Sequence, residues 1–236
     1  MNNVTKAMIL AAGFGTRMKP LTDIVPKALV KVSGAPMIEP VIRRLVEYGI
    51  REIVVNTHYL SKQVEEYFAE NDFGVKIFLS YEKEILGTGG GIKNAGKLLK
   101  DSDAFIVHNV DVSSEINLKE LVEFHFRNSA FATLAVKRRD TRRPLVIDKQ
   151  GNLIGRKSPE KTYRYRKSEG TESLAGFCGI HVISSAIFDC FAEEGFFDIF
   201  TAYFRLIEEQ KRILVFDTGS SLWNDLGTLD KNIHSA

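Results

Sequence analysis

Short apolar runs alternate with amphipathic stretches along the first half of this 236-residue chain. The apolar runs predict buried strands, and the amphipathic stretches predict helices. We predict strands at 7–11, 52–56, 75–80 and 104–107 and helices at 36–48 and 62–69. Strands and helices in this order form βαβ units, so we expect an α/β protein with a mixed, mostly parallel central sheet flanked by helices.

The second half of the chain is less regular. It predicts helices at 118–126, 185–191 and 199–210, strands at 131–136, 174–183 and 213–217, and a hairpin of 145–148 with 152–154. The polar interval 156–173 lacks a core-forming period, which is typical either of a mobile loop that closes over a substrate or of a solvated loop. Because no internal repeat and no linker is visible, we predict a single domain over residues 1–236.

Charge and composition narrow the class of protein. The chain has 32 basic and 30 acidic side chains, a balance that excludes bulk nucleic-acid binding, so any phosphate recognition must be local. The apolar run at 7–12 ends at Gly13, long before the length of a signal peptide or a membrane span. Cys178 and Cys190 have no motif spacing and are expected to be small buried residues. We therefore expect a reduced, cytoplasmic protein with no membrane and no nucleic acid among its partners.

A glycine-rich loop follows the first predicted strand. Gly13 and Gly15 would allow backbone N–H groups to approach a phosphate closely, and Arg17 and Lys19 add positive charge there. The spacing fits neither a P-loop nor a dinucleotide fingerprint, which needs a small residue where Met18 stands. A glycine pair can also be a tight turn, so further residues must decide between these interpretations.

Lys27 is the first of those residues. It follows Pro26, which restricts the backbone on both sides, only ten positions after Arg17. The two cations are therefore expected to converge on one anionic ligand.

A second glycine cluster, Gly89–Gly91, precedes a helical stretch. Each glycine in a helix costs about 1 kcal/mol relative to Ala, so three in succession predict that a flat group, a base or a sugar ring, approaches the backbone. The alternative is a flexible helix start. Asp111 follows a buried run and should lie beyond the carboxyl end of a central strand, where it is either a metal ligand or a helix cap.

The segment 10–22, followed by Pro-Lys-x-Leu and Gly-x-Pro-Met-Ile, resembles the opening of the sugar-1-phosphate nucleotidyltransferases. The resemblance implies a Rossmann-like nucleotidyltransferase fold with a small β-rich sugar-binding subregion. It implies that Arg17 and Lys27 act in catalysis by stabilising charge on the reacting phosphates. The implied nucleotide-binding residues are Leu10, Ala11, Ala12, Gly13, Gly15, Thr16, Arg17, Lys27, Thr88, Gly89 and Gly90.

The same resemblance assigns a metal site. Asp111, in a segment where Val110 replaces the family's usual glycine, and Asp225, in a Trp-x-Asp-x-Gly-Thr motif that ends at Thr228, would hold Mg²⁺ together. Magnesium suits two carboxylates because phosphate oxygens and water complete its octahedron. Asp111 is thus a third catalytic residue.

The sugar-phosphate side departs from the family pattern. The implied substrate-binding residues are Asn109, Lys157, Gly176 and Asp225. Lys157 lies where many relatives carry Glu-Lys-Pro, and Arg156, Lys161 or the more distant group 138–143 could substitute for it. His58 and His108 are expected to be structural, because phosphoryl transfer does not require them.

The predicted activity is a Mg²⁺-dependent condensation of a sugar 1-phosphate with a nucleoside triphosphate. The triple glycine resembles N-acetylmuramate-1-phosphate uridylyltransferases, which favours UTP with that sugar. Alternatives are phosphocholine with CTP, mannose or heptose 1-phosphate with GTP, and a silent paralogue that senses nucleotide-sugars. A dinucleotide-dependent oxidoreductase is disfavoured by Met18 and by the basic residues that follow the glycine-rich loop. We expect a monomer or a small homo-oligomer, without the C-terminal left-handed β-helix of larger relatives.

Overall fold

The computed structural model describes residues 4–168 and 170–227. The strands are β1 (Lys6–Leu10), β2 (Lys31–Val32), β3 (Ala35–Pro36), β4 (Glu52–Thr57), β5 (Lys76–Tyr81), β6 (Ala104–Asn109), β7 (Val112–Ser114), β8 (Ala132–Lys137), β9 (Leu145–Ile147), β10 (Leu153–Lys157), β11 (Thr162–Arg164), β12 (Ser173–Ser184), β13 (Ile213–Asp217) and β14 (Trp223–Asp225). The helices are α1 (Ile38–Tyr48), α2 (Ser61–Glu70), α3 (Gly87–Asn94), α4 (Gly96–Leu99), α5 (Leu118–Arg127) and α6 (Ile199–Glu208), and 3-10 turns cover Thr16–Met18, Leu21–Asp23, Lys27–Leu29 and Ser185–Asp189.

One large mixed sheet organises the molecule. Its strand order is β11-β10-β9-β12-β6-β1-β4-β5, with β8 paired to β12 and β13 to β8. The pairs β5-β4, β4-β1 and β1-β6 are parallel, whereas β12 runs antiparallel to β6, β8 and β9. The predicted α/β class with helices on a mixed central sheet is confirmed.

Helices cover both faces of the sheet because each presents an apolar stripe. In α1 the buried residues Ile38, Val41, Ile42 and Leu45 recur at helical spacing, and Gly49 ends the helix in the left-handed conformation. One face of the sheet packs against α1 and α5, and the opposite face packs against α3, α4 and α6. Within the described parts of the chain, no helix has the length and apolar character that crossing a membrane requires.

The structure differs from the sequence prediction in several elements. β5 is an edge strand with alternating exposure rather than a buried strand, because it pairs only on its β4 side. The segment predicted as a helix at 185–191 is a short 3-10 turn. The interval 156–173 contains β11, and it is held by the ion pair of Arg164 with Glu172 and by Tyr165, whose ring stacks on Phe204 at 4.3 Å. Thr228 lies outside the described residues.

Candidate active site

Two adjacent parallel strands place the site. The glycine-rich loop follows β1 and Asp111 follows β6, and the two strands end level with each other, since Leu10 pairs with Asn109. β4 and β5 continue the sheet on the other side of β1. Strand order therefore reverses at β1, and the crevice at the carboxyl ends of such strands is where open α/β sheets bind ligands.

The loop after β1 has two glycines with different physical roles. Gly15 has a φ of +63°, and a Cβ there would lie 2.7 Å from Cγ2 of Thr22, so this position requires glycine for the fold. The Gly15 carbonyl accepts hydrogen bonds from Met18 N–H and from Oγ1 of Thr22. A Cβ at Gly13, in contrast, would meet nothing within 4 Å. Gly13 is exposed at the mouth of a cavity, so the space it leaves is available to a ligand.

Four charged side chains converge beside this loop. The Nζ of Lys27 makes an ion pair with Oδ2 of Asp111. The Arg17 guanidinium lies between two carboxylates, 3.6 Å from Oδ2 of Asp111 and 3.6 Å from Oδ2 of Asp225. Asp225 reaches this place because β14 pairs with β7, which directly follows Asp111. The structure thus brings together Arg17, Lys27, Asp111 and Asp225, which lie in four separate segments of the sequence.

The donor chemistry of the two aspartates suits magnesium. No cluster of three or more His, Cys, Asp or Glu side chains with metal-ligand geometry occurs in the ranges the structure describes. Two converging carboxylates, Asp111 and Asp225, are a donor set for an ion that completes its coordination with phosphate oxygens and water. At Gly227 a Cβ would lie 2.6 Å from Oδ2 of Asp111 and 3.0 Å from Oδ1 of Asp225, so a glycine is needed for the carboxylates to meet.

A cavity of about 200 Å³ opens beside the charged cluster. Half of the predicted site residues line it. Its lining consists of Leu10, Ala11, Ala12, Gly13, Lys27, Asn56, Glu82, Ile85, Gly87, Thr88, Asn109, Val110 and Asp111.

Asn56 and Glu82 were missed by the sequence prediction. Both are buried, and Nδ2 of Asn56 donates to Oε1 of Glu82 at 2.7 Å. Oδ1 of Asn56 accepts from Ala11 N–H at 2.7 Å, and Oε2 of Glu82 accepts from Leu86 N–H at 2.8 Å. The signal in the sequence is a polar residue at the end of each of two consecutive strands, Asn56 in an apolar run and Glu82 directly after β5.

The three consecutive glycines of α3 have a packing reason. A Cβ at Gly89 would lie 2.2 Å from the Phe197 ring, one at Gly90 would lie 2.4 Å from the carbonyl oxygen of Gly195, and one at Gly91 would lie 2.7 Å from Oε1 of Glu82. Protein atoms, rather than the flat ligand that we predicted, occupy the space next to these glycines. The N–H groups of Gly89 and Gly90 donate to the Phe197 carbonyl. Thr88 lines the cavity, whereas contact of Gly89 and Gly90 with a nucleotide stays a prediction.

The remaining predicted residues lie farther from the charged cluster. Lys157 is exposed at the end of β10, where its N–H donates to the Pro144 carbonyl. Arg156 points to the other side of the strand, with its guanidinium 4.2 Å from the centroid of the Phe200 ring. Gly176 lies in β12 against the side chain of Arg139.

The histidines that invited a catalytic interpretation are parts of the scaffold. Nδ1 of His58 lies 2.8 Å from the Glu82 carbonyl oxygen. His108 is buried, and burial lowers its pKa to about 4, so it is neutral at pH 7. Cys178 is fully buried and burial raises the pKa of its thiol to about 11, while Cys190 is half-buried.

Comparison with known proteins identifies the family of this chain. The family model described as nucleotidyl transferase matches residues 6–146, which is more than half of the chain. A mannose-1-phosphate guanyltransferase 2 of Candida glabrata is 32% identical over 231 residues, covering 94% of this chain and 61% of that protein. A mannose-1-phosphate guanylyltransferase catalytic subunit beta of Xenopus tropicalis is 37% identical over 134 residues, covering 56% of this chain and 37% of that protein.

Solved structures resemble the whole chain. The crystal structure of HddC from Yersinia pseudotuberculosis complexed with GMP-PN aligns with a TM-score of 0.77 at 22% identity and covers 98% of each chain. At this identity the likeness shows the fold. The chain spans 61% or less of the length of the two mannose-1-phosphate relatives above.

Proposed function

This chain belongs to the nucleotidyl transferase family, and we propose that it joins a sugar 1-phosphate to a nucleoside triphosphate, releasing pyrophosphate. The family match and the relatives confirm the resemblance to sugar-1-phosphate nucleotidyltransferases noted in the sequence. The observation that carries the proposal is the convergence of Arg17, Lys27, Asp111 and Asp225 at the carboxyl ends of β1 and β6. Two cations beside a glycine-rich loop, together with a metal ion that the two carboxylates would hold, can stabilise the negative charge that develops on reacting phosphates.

The chemistry needs positioning and charge stabilisation more than proton transfer. The nucleophile is a phosphate oxygen of the sugar 1-phosphate, which is largely ionised at pH 7 because the second pKa of a monoester is about 6. No general base is required. Catalysis then consists of holding that oxygen in line with the α-phosphorus and stabilising the negative charge on the transferred group and the leaving pyrophosphate.

Each residue of the cluster has a role in this proposal. Asp111 and Asp225 would hold Mg²⁺, which supplies Lewis-acid stabilisation of the phosphates when bound. Lys27, which makes an ion pair with Asp111, would stabilise the charge on the transferred phosphate, and Arg17 the charge on the leaving pyrophosphate. Backbone groups of the loop 10–16 wrap the triphosphate, and Thr88 with the start of α3 borders the base and ribose. Asn109 and Gly176 border the sugar.

The relatives favour GTP and mannose 1-phosphate as the substrate pair. They do not support UTP with N-acetylmuramate 1-phosphate, the pair that the triple glycine suggested.

Pyrophosphate release measured over the four nucleoside triphosphates, each with mannose 1-phosphate, N-acetylmuramate 1-phosphate and phosphocholine, tests the proposal. We expect the highest kcat/KM for GTP with mannose 1-phosphate. Release only with CTP and phosphocholine would favour that alternative. No release with any acceptor, together with nucleotide-sugar binding, would identify a silent sensor, although such a protein has no need to retain all four charged residues.

The proposal includes the partners, the oligomeric state and the compartment of the protein. The partners are a nucleoside triphosphate and a sugar 1-phosphate, and the chain acts as one domain, as a monomer or a small homo-oligomer. Cys178 and Cys190 are both unpaired thiols, which supports a reducing compartment such as the cytoplasm.

A further inference from the structure

The amino-terminal part of β12 extends beyond the end of β6. Residues 180–184 of β12 pair with β6, whereas Gly176 and Phe177 pair with the end of β8 and residues 173–175 pair with β9. Where β12 leaves β6, a Cβ at Gly179 would lie 3.0 Å from Nδ2 of Asn109. The segment 176–179 therefore overhangs the carboxyl end of β6, next to the cavity that Asn109 lines.

Arg139 is fixed against this overhang. Its guanidinium lies 4.3 Å from the centroid of the Trp223 ring, and its Nη2 donates to the Phe177 carbonyl at 2.9 Å. The Nε lies 2.8 Å from where a Cβ of Gly176 would be, so the guanidinium fits there only because residue 176 is glycine. Trp223 is itself held, because its Nε1 donates to the Cys178 carbonyl at 2.8 Å.

The charge of Arg139 is not neutralised by the protein. Among residues 4–168 and 170–227, no carboxylate lies within 4.0 Å of its guanidinium, and its Nε is buried with no hydrogen-bond partner. Donors in a desolvated position cost free energy unless an acceptor satisfies them. The neighbouring Arg138 is the opposite case, since it is exposed and lies 4.0 Å from Asp217. An arginine that is held in place without an anion is typical of a binding site.

The direction of Arg139 is set by β14. Trp223 and Asp225 are alternate residues of this strand, so their side chains lie on the same face of it. Arg139, which stacks on Trp223, is consequently on the face that carries the Asp225 carboxylate. Lys157, the residue indicated by the sequence, is instead exposed at the end of β10.

We propose that Arg139, rather than Lys157, binds the phosphate of the sugar 1-phosphate. This inference rests on the proposed function and assigns its acceptor side. The guanidinium can donate to a phosphate from its Nη groups, since Nε is enclosed against Gly176, while the Trp223 ring and the Phe177 carbonyl hold its orientation. A phosphate bound by Arg139 would lie on the face of β14 that carries the Asp225 carboxylate of the proposed metal site.

Steady-state kinetics of Arg139→Gln with GTP and mannose 1-phosphate tests the proposal. We expect the KM for mannose 1-phosphate to rise about 30-fold, while the KM for GTP changes less than about 2-fold. Arg139→Lys, which keeps the charge, should recover part of the loss. Arg138→Gln is the matched control for charge on the same segment, and Lys157→Gln tests the rival residue; both should retain the wild-type KM values.

Trp223 provides a second measurement that does not depend on turnover, since it is the only tryptophan of the chain. Titration of mannose 1-phosphate, and separately of inorganic phosphate, should change its fluorescence in wild type and in Arg138→Gln but not in Arg139→Gln. An Arg139→Gln protein that keeps the wild-type turnover and the wild-type KM for mannose 1-phosphate would overturn the proposal. So would an equal rise of the KM for mannose 1-phosphate and the KM for GTP in Arg139→Gln. A rise of about 30-fold in the KM for mannose 1-phosphate in Lys157→Gln would also overturn it. If wild type turns over no sugar 1-phosphate, the proposed function fails, and the phosphate titration alone decides whether Arg139 binds phosphate.

Discussion

Asn56 and Glu82 are joined by a hydrogen bond of 2.7 Å beneath the cavity, where both side chains are buried. The amide oxygen of Asn56 accepts from Ala11 N–H at the start of the glycine-rich loop, and the second carboxylate oxygen of Glu82 accepts from Leu86 N–H before α3. The pair therefore connects the segment proposed to hold the triphosphate with the segment proposed to border the base. Changing either residue alone breaks the match of donors and acceptors, whereas exchanging the two restores it, which makes the pair testable.

Exchanging the carboxylate and the amide should separate hydrogen bonding from charge. In Glu82→Gln one of the two donors facing residue 82 loses its acceptor, and in Asn56→Asp two carboxylates face each other. Each single variant should lose about 1–3 kcal/mol of unfolding free energy and bind the triphosphate more weakly.

The double variant restores a matched set of donors and acceptors, so its stability should recover. The new carboxylate at position 56 accepts from Ala11 N–H and from the new amide at position 82, and the oxygen of that amide accepts from Leu86 N–H. Urea unfolding of the wild type, the two single variants and the double variant gives the coupling energy; strictly additive losses would contradict this account.

The metal assignment predicts that Asp111→Asn and Asp225→Asn each reduce kcat/KM for pyrophosphate release at least about 1000-fold. The amide has the shape of the carboxylate but lacks the charge that binds Mg²⁺, so folding should be preserved. Asp217→Asn, which changes an exposed carboxylate near Arg138, should retain full activity. Activity measured against MgCl₂ concentration distinguishes a raised metal requirement from misfolding. A fully active double variant would contradict the assignment of Asp111 and Asp225 as metal ligands.

Glycines at two positions should respond differently to alanine. A Cβ at Gly13 meets no protein atom within 4 Å, whereas a Cβ at Gly90 would lie 2.4 Å from the Gly195 carbonyl oxygen. Gly13→Ala should change stability by less than about 0.5 kcal/mol but raise the KM for the triphosphate about 10-fold. Gly90→Ala should cost about 1–3 kcal/mol through overpacking. Urea unfolding and nucleotide titration check both, and a stable Gly90→Ala protein would argue that α3 can move away from the loop at 195–197.

Three buried histidines predict a pH dependence of stability. Burial lowers the pKa of His108 and of His125 to about 4 and that of His181 to about 3. In the unfolded chain their pKa is about 6.5, so below that pH the unfolded state binds more protons than the native state and stability falls. Three such groups give a slope of up to about 4 kcal/mol per pH unit between roughly pH 6 and pH 4. Urea unfolding at about pH 7.5 and about pH 5.5 measures it. His125→Gln, which can still bond Thr133, should reduce the slope; an unchanged slope would assign it to carboxylates.

Local sequence determined the strands and helices of the first half of the chain, together with the glycine-rich loop and Lys27 of the candidate site. Continuous apolar runs predicted β1, β4 and β6, because these strands are buried on both faces, and apolar residues at helical spacing predicted the helices, because one face of each helix is buried. The glycine-rich loop was recognisable because Gly15 is required by its own backbone angle and by the nearby Thr22. Lys27 was recognisable for a similar reason, since Pro26 stiffens the chain that presents it.

Contacts between distant segments were decided by the tertiary structure alone. Asp225 joins Asp111 through pairing of β14 with β7, Gly89–Gly91 are small because Phe197, Gly195 and Glu82 pack against them, and Arg139 is fixed by the ring of Trp223 from a distant segment. Periodicity shows which face of an element is buried but not which other element covers it. Strand register and the packing of helix on loop settle that. For this reason Asn56 and Glu82 could not be assigned to the site, and Arg139 could not be selected from the group 138–143, before the fold was known.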